Sequence, residues 1–327
     1  MKKKIFITGG AGYVGCSLVD KLIEKDYDVT VLDLCLYGNE VFKHKSKVNL
    51  IKGDIRNQKL LRDNLPGHDA LIHLACISND PSFELNPLLG KSINLDAFEP
   101  LIKISKDSGI SRFIYASSSS VYGIKEDMNV TENVKLEPIT DYSRFKAQCE
   151  EICLKYSSKD FITTIIRPAT VCGFSKRQRF DLVVNILTNL GINTGKITVF
   201  GGKQLRPNIH INDMINSYIN VLEQEKSKVN SKIYNVGYEN QPVIELANLV
   251  ERNIEKKVEI ILTETNDNRS YHISSEKIKN ELGFVNEYSI EDAIIGIKEA
   301  FKRNEFVDSL KNDIYFNVKM MKKINLK

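Results

Sequence analysis

The sequence predicts an α/β protein: a doubly wound parallel sheet with helices on both faces, joined to a smaller, discontinuous α/β domain. Three observations carry that expectation. Short apolar strands alternate with amphipathic helices through the first 120 residues, and strands buried on both faces belong to parallel sheets sandwiched between helices. A glycine-rich turn lies between the first strand and the first helix. The length, 327 residues, exceeds the roughly 250–300 at which single cores stop growing, so one large or two interlocked domains are expected.

Ile5–Thr8 reads as the first strand. After the glycine turn, Val14, Leu18, Val19, Leu22 and Ile23 recur at helical spacing within Tyr13–Lys25. Strands follow at Asp28–Leu34, Val48–Lys52 and Ala70–Ala75, then a helix over Lys91–Lys106 that Gly109 stops, and a strand at Arg112–Ala116. A helix over Asp141–Tyr156 leads to the strand Phe161–Arg167. Beyond Gly173 the rhythm loosens, with a helix at Phe180–Leu190 and strands at Lys196–Phe200 and Val258–Thr263. Lys232–Val236 reads as a further strand of the main sheet, which makes the second domain discontinuous. The boundaries that follow are 1–173 plus 208–237 for the first domain and 174–207 plus 238–316 for the second. Residues 317–327, with Lys319, Lys322, Lys323 and Lys327, read as a basic, solvated tail.

Forty-six basic against 42 acidic residues leave a net charge of +4, too slight for a nucleic-acid or membrane surface. No apolar run approaches the ~20 residues of a membrane span. Met1-Lys2-Lys3-Lys4 resembles the charged start of a signal peptide, but Gly9 interrupts the apolar stretch that should follow. A soluble, cytoplasmic protein is expected. The six cysteines form no CxxC pair and no metal-ligand spacing with the five histidines. No metal site is therefore predicted, and all six cysteines read as buried small hydrophobes in a reducing compartment.

Gly9, Gly12 and Gly15 form Gly-x-x-Gly-x-x-Gly across the first strand–helix turn, with Tyr13 and Val14 opening the helix. Glycine permits the tight turn and a close approach of backbone to a pyrophosphate, which the helix N-terminus attracts. Asp33 ends the second strand 21 residues after Gly12, where a carboxylate accepts ribose hydroxyls and repels a 2′-phosphate. The cofactor predicted is NAD. Asp54 and Ile55 after the third strand are candidates to flank the adenine, and Leu74 and Ala75 close the fourth strand, where ligands of open parallel sheets collect.

Tyr142 and Lys146 stand one helical turn apart on one face. Moving a phenol from pKa ~10 to ~7 requires about 4 kcal/mol, and an ammonium about 4 Å away supplies that order of energy at an effective dielectric of ~20. Lys146 is thus expected to hold a ribose and help Tyr142 act as a base. Ser117-Ser118-Ser119-Ser120-Val121-Tyr122-Gly123 closes the preceding strand, and a serine there can hydrogen-bond the oxygen whose proton Tyr142 takes.

The glycine loop, the Ser118–Tyr142–Lys146 set and Arg167-Pro168-Ala169-Thr170-Val171-Cys172-Gly173 together resemble an extended short-chain dehydrogenase/reductase, more narrowly the NAD-dependent nucleotide-sugar epimerase/dehydratase group. The resemblance runs from about residue 4 to 300. It implies a Rossmann-type domain holding NAD, a smaller substrate domain for a nucleoside diphosphate sugar, and a homodimer. It places the catalytic serine on Ser118 and adds Ser117 and Pro168 to the cofactor contacts. Ser78, Asn94, Ser119, Thr170 and Asn185 join Ser118 as substrate-side candidates. Arg206, in an Arg-x-x-Ile-His-x-x-Asp segment, and Arg269, shortly before Glu281-Leu282-Gly283-Phe284, resemble the family's two phosphate arginines. Arginine's planar fork suits that role. Arg177 and Arg179 are further candidates, while His210 is expected to orient its loop.

One departure narrows the chemistry. The group's 4,6-dehydratases carry Asp-Glu after the catalytic Ser/Thr, where this chain has Ser119 and Ser120, so dehydration is disfavoured. Redox chemistry at C4 of the sugar is expected, most simply epimerisation. The alternatives are a 4-dehydrogenase or 4-ketoreductase that releases its product. A non-catalytic NAD-binding sensor is the rival from another class, and it would be expected to lack Tyr142 or Lys146.

Overall fold

The computed structural model describes residues 2–125, 127, 129–265, 270 and 272–324. The N-terminal half runs β1 (Lys4–Thr8), α1 (Tyr13–Glu24), β2 (Asp28–Asp33), β3 (Val48–Lys52), α2 (Gln58–Asn64), β4 (Ala70–His73), α3 (Asp80–Phe83), α4 (Pro87–Lys91), α5 (Phe98–Asp107), β5 (Arg112–Ala116), α6 (Asp141–Tyr156) and β6 (Ile162–Pro168). Then come β7 (Thr170–Cys172), α7 (Val183–Thr194), β8 (Lys196–Phe200), β9 (Leu205–His210), α8 (Ile211–Glu223), α9 (Lys226–Val229), β10 (Lys232–Val236), β11 (Glu239–Pro242), α10 (Val243–Asn253), β12 (Glu259–Thr263), α11 (Glu276–Leu282), α12 (Ile290–Lys302) and α13 (Asn317–Ile324).

Seven strands form one parallel sheet in the order β10-β6-β5-β4-β1-β2-β3. Its apolar strand residues bury both faces: one beneath α1 and α8, with Ile5, Ile7, Val29 and Val31, the other beneath α5 and α6, with Phe6, Leu71, Phe113 and Ile165. The order reverses between β1 and β4, opening a crevice at their carboxyl ends. Lys232–Val236 is the edge strand beside β6, so the chain returns to the main sheet after leaving it at Pro168. A third apolar cluster gathers Val184, Leu187, Val199, Leu246 and Ile294 from α7, β8, α10 and α12.

Several expectations need correction. The helix over Lys91–Lys106 is in fact α4, a π-turn at Ser92–Asp96 and α5; Asn86 caps α4 through the Leu89 N–H, with Pro87 in its first turn. The helix expected from Phe180 begins at Val183. Phe180 instead packs into an aromatic cluster with Phe301, Phe306 and Tyr315. The 207/208 boundary falls inside β9, which lies continuous between β7 and β11 in a separate three-stranded sheet. The basic tail is not simply solvated, because residues 317–324 form α13 and bury Asn317. Cys16, Cys149, Cys153 and Cys172 are buried, but Cys35 and Cys76 are only half-buried. No helix among the described residues is long and apolar enough to cross a membrane.

Candidate active site

A cavity of about 540 Å³ opens at the carboxyl ends of β1 and β4, within the usual size of small-molecule sites. Its floor is the glycine turn. A Cβ on Gly9, where φ is +76°, would stand 2.5 Å from the Ala75 nitrogen, and one on Gly15 would stand 2.4 Å from the Gly9 carbonyl oxygen. Only glycine allows β1, β4 and α1 to close this tightly. Gly12 caps α1 without any side-chain hydrogen bond, and no acidic residue lies in the first turn, so the helix N-terminus faces the cavity unneutralised. Gly12, Tyr13, Val14, Leu74, Ala75 and Pro168 all line it.

Asp33 accepts the Ala11 and Cys35 N–H groups at 2.9 and 2.7 Å. Burial raises its pKa against these hydrogen bonds and the pull of Arg177. Asp54 and Ile55 line the same end of the cavity, with the Asp54 carboxylate forked by Arg56 at 2.7–3.1 Å. An uncapped helix start, a glycine cradle and a carboxylate at the end of β2 fit an NAD molecule along this crevice.

At the other end, Ser118, Tyr142 and Lys146 come together. Thr140 and Ser143 form a capping box that starts α6, and the helix then carries Tyr142 and Lys146 on its cavity face. The Lys146 ammonium donates to the Ala116 carbonyl at 2.7 Å and lies 5.8 Å from the Tyr142 ring centroid. Burial pushes the Tyr142 phenol well above its ordinary pKa, and Cys76 and Asp80 push the same way, while Arg179 and the Ser118 hydroxyl pull it down. Lys146, expected to help Tyr142 act as a base, is not among the groups that pull the phenol down in the protein by itself. Its charge is tied to a carbonyl, and desolvation dominates in the protein by itself.

Ser118 caps a short 3₁₀ turn through the Ser120 N–H, and its Oγ lies 2.8 Å from that of Ser120. Ser117 also lines the cavity, but its hydroxyl donates to Glu150. Ser78, Ser119, Thr170, Arg179 and Arg206 border the cavity as well. Asn94 and Asn185 do not. The Asn94 amide holds both backbone groups of Ile77 at 2.8 and 3.0 Å, and Asn185 holds the Gly173 N–H, the Arg179 carbonyl and the Tyr13 hydroxyl. Both shape loops around the cavity rather than face it. Arg269 lies outside the described residues. His210 caps α8 and stacks on Tyr288 at 4.7 Å, in keeping with an orienting place.

Sequence reasoning missed Tyr37, Cys76, Asn317 and Met321, which also line the cavity. Nothing in local patterning marks them, since each arrives through loop or tail packing. No group of three metal-binding side chains occurs among the described residues.

A family model described as "NAD dependent epimerase/dehydratase family" matches residues 5–237. The chain is 29% identical to a UDP-glucose 4-epimerase of Lactobacillus helveticus over 271 residues, covering 76% of this chain and 81% of the relative. Among solved structures, a UDP-glucose 4-epimerase from Thermotoga maritima with UDP-glucose superposes with a TM-score of 0.82 at 23% identity, covering 92% of this chain and 99% of that one. A dTDP-glucose 4,6-dehydratase from Streptomyces venezuelae with NAD reaches 0.83 at 22% identity, covering 94% and 100%.

Proposed function

Because this chain belongs to the NAD-dependent epimerase/dehydratase family, we propose that it oxidises C4 of the sugar in a nucleoside diphosphate sugar and returns the hydride to invert that carbon. The observation that carries the reading is the convergence of Ser118, Tyr142 and Lys146 at the inner end of the cavity. Ser119 and Ser120 stand behind Ser118, where an elimination would need an acid–base pair. The epimerase relative supports the same reading.

NAD, when bound, supplies the hydride acceptor and a positive ring. Ser118 donates to or accepts from the C4 oxygen and fixes it against Tyr142. Tyr142, as the phenolate, takes the hydroxyl proton as the C4–H bond breaks, and it returns that proton when hydride re-adds to the other face. Arg179 and Ser118, which already favour the phenolate, need added positive potential to overcome burial, so the base forms with cofactor in place. Lys146 lines this end, anchored on the Ala116 carbonyl, and is the candidate to hold a ribose. Arg206, on β9 at the cavity wall, is the candidate for the substrate's diphosphate.

The test is incubation of the purified protein with UDP-, GDP-, CDP- and dTDP-hexoses, with product NMR, alongside Tyr142→Phe. A C4-inverted product, and a kcat for Tyr142→Phe lower by about 10²–10⁴-fold, are expected. A released 4-keto sugar would favour the dehydrogenase alternative. Full turnover by Tyr142→Phe would overturn the assignment.

A further inference from the structure

The loop from Gly173 to Asp181 is fastened across the first turn of α1. The Tyr13 hydroxyl donates to the Gly173 carbonyl at 2.7 Å, and Ser175 Oγ donates to the Tyr13 carbonyl at 2.8 Å and meets Cys16 Sγ at 3.0 Å. The loop carries two arginines into the cavity wall beside Ser78 and Tyr37. Arg177 is 4% exposed and Arg179 7%. Arg177 Nε and Nη1, and Arg179 Nη2, have no hydrogen-bond partner among the described residues.

Buried guanidinium N–H groups without acceptors are costly and rare in folded proteins, and two together in a cavity wall imply an anion. Charge balance points the same way. Arg179 is paired with Asp181 at 2.9 Å, whereas Arg177 makes no ion pair among the described residues: it meets Asn317 Oδ1 at 2.6 Å and the face of Tyr37 at 3.5 Å, and feels Asp181 only through charge. Burial brings the Arg177 guanidinium down to about 10, against the pull of Tyr37 and Asp181. The position selects which anion. The loop sits on the uncapped α1 N-terminus, and Arg177 is near enough to Asp33, at the ribose end, to lower its pKa.

We propose that Arg177 and Arg179 form the second half of the cofactor clasp, taking the dinucleotide's pyrophosphate together with the α1 N-terminus, and that α13 holds them in place. The hold of α13 is visible in Asn317. Its side chain contacts both Arg177 and Ser78, the latter at 2.9 Å, and its N–H donates to Asp181 at 2.9 Å. Ser78 in turn accepts from Arg179 at 3.2 Å. One residue of the C-terminal helix thereby orients both arginines. The proposal rests on the family's NAD dependence and not on the reaction at C4.

The test is calorimetric titration of the full chain, stripped of nucleotide, with ADP-ribose and separately with UDP. Losing one partner of a buried charged contact corresponds to about 30-fold or more in affinity. Arg177→Gln and Arg179→Gln are expected to weaken ADP-ribose by that factor and change UDP by less than twofold. Arg177→Lys keeps the charge without the fork and should recover part of the loss. Asn317→Ala, which leaves both arginines in the chain, should speed NAD release by about 3–10-fold. Unaltered ADP-ribose affinity in both Gln variants would overturn the clasp. Loss of UDP binding with ADP-ribose intact would overturn it too, because the arginines would then serve the substrate's diphosphate.

Discussion

Replacing Glu150 by Leu should destabilise the protein by about 3–5 kcal/mol, the usual consequence of removing one partner of a buried ion pair. The Glu150 carboxylate and the Arg167 guanidinium are each 3% exposed. Three charge-assisted contacts join them, at 2.9, 3.2 and 2.6 Å, and Ser117 donates to the same carboxylate. Burial lowers the Arg167 pKa, but the hydrogen bonds and charge of Glu150 outweigh it, so the cation stays charged and would be left without its counter-ion. The network continues from Arg167 to the Tyr122 hydroxyl and from there to Asn235 Oδ1, both at 2.7 Å. It thereby ties β5, α6, β6 and β10 together directly behind Tyr142 and Lys146. At about 2 °C per kcal/mol for a chain this long, the melting temperature should fall by roughly 6–10 °C. Urea unfolding and calorimetry measure both quantities. The double variant Glu150→Leu/Arg167→Met removes both charges and should recover a large part of the loss. A cost below about 1 kcal/mol for Glu150→Leu, or simple additivity in the double variant, would refute the reasoning.

Two further outcomes follow from the same geometry. Burial pushes the His210 imidazole down to about 4, against an ordinary 6.5. The unfolded chain therefore binds a proton that the folded protein refuses, and stability falls as pH drops from about 6.5 to about 4, by on the order of 3 kcal/mol. Urea midpoints across that window should decline less for His210→Gln than for the parent, and equal slopes would contradict the assignment. Cys35 and Cys76 are half-buried while the other four cysteines are buried. Alkylation followed by peptide mass spectrometry should mark these two first. Because Cys76 lines the cavity, NAD should protect it, and an undiminished rate at Cys76 in saturating NAD would argue against the cofactor's path.

The sheet was legible because its inner strands carry apolar runs such as Ile5–Ile7, Ala70–Ile72 and Phe113–Ala116, and Arg112–Ala116, Lys196–Phe200 and Asp141–Tyr156 begin and end where the sequence pattern places them. The glycine turn and the Tyr142–Lys146 pair were legible because their geometry is local, set within one turn or one helix. What stayed hidden depends on contacts between distant segments. Asn94 reads as a site residue, yet a π-turn points its amide at the Ile77 backbone. Asn317 lies in what reads as a charged tail, and its burial depends on Arg177, Asp181 and Ser78. The partner of the Lys146 ammonium stayed hidden for a related reason. Helical spacing gives the distance of a lysine along the helix, but not the Ala116 carbonyl from β5 that holds its ammonium.

The most direct measurement follows a label at C4. The nucleoside diphosphate hexose that the protein turns over, prepared with deuterium at that carbon, incubated in ordinary water and read by NMR, should yield the C4 epimer with its deuterium still at C4. That result means the hydride left and returned within one site without exchanging with solvent. Deuterium exchanged into solvent or moved to C6, or turnover without inversion at C4, would contradict the account.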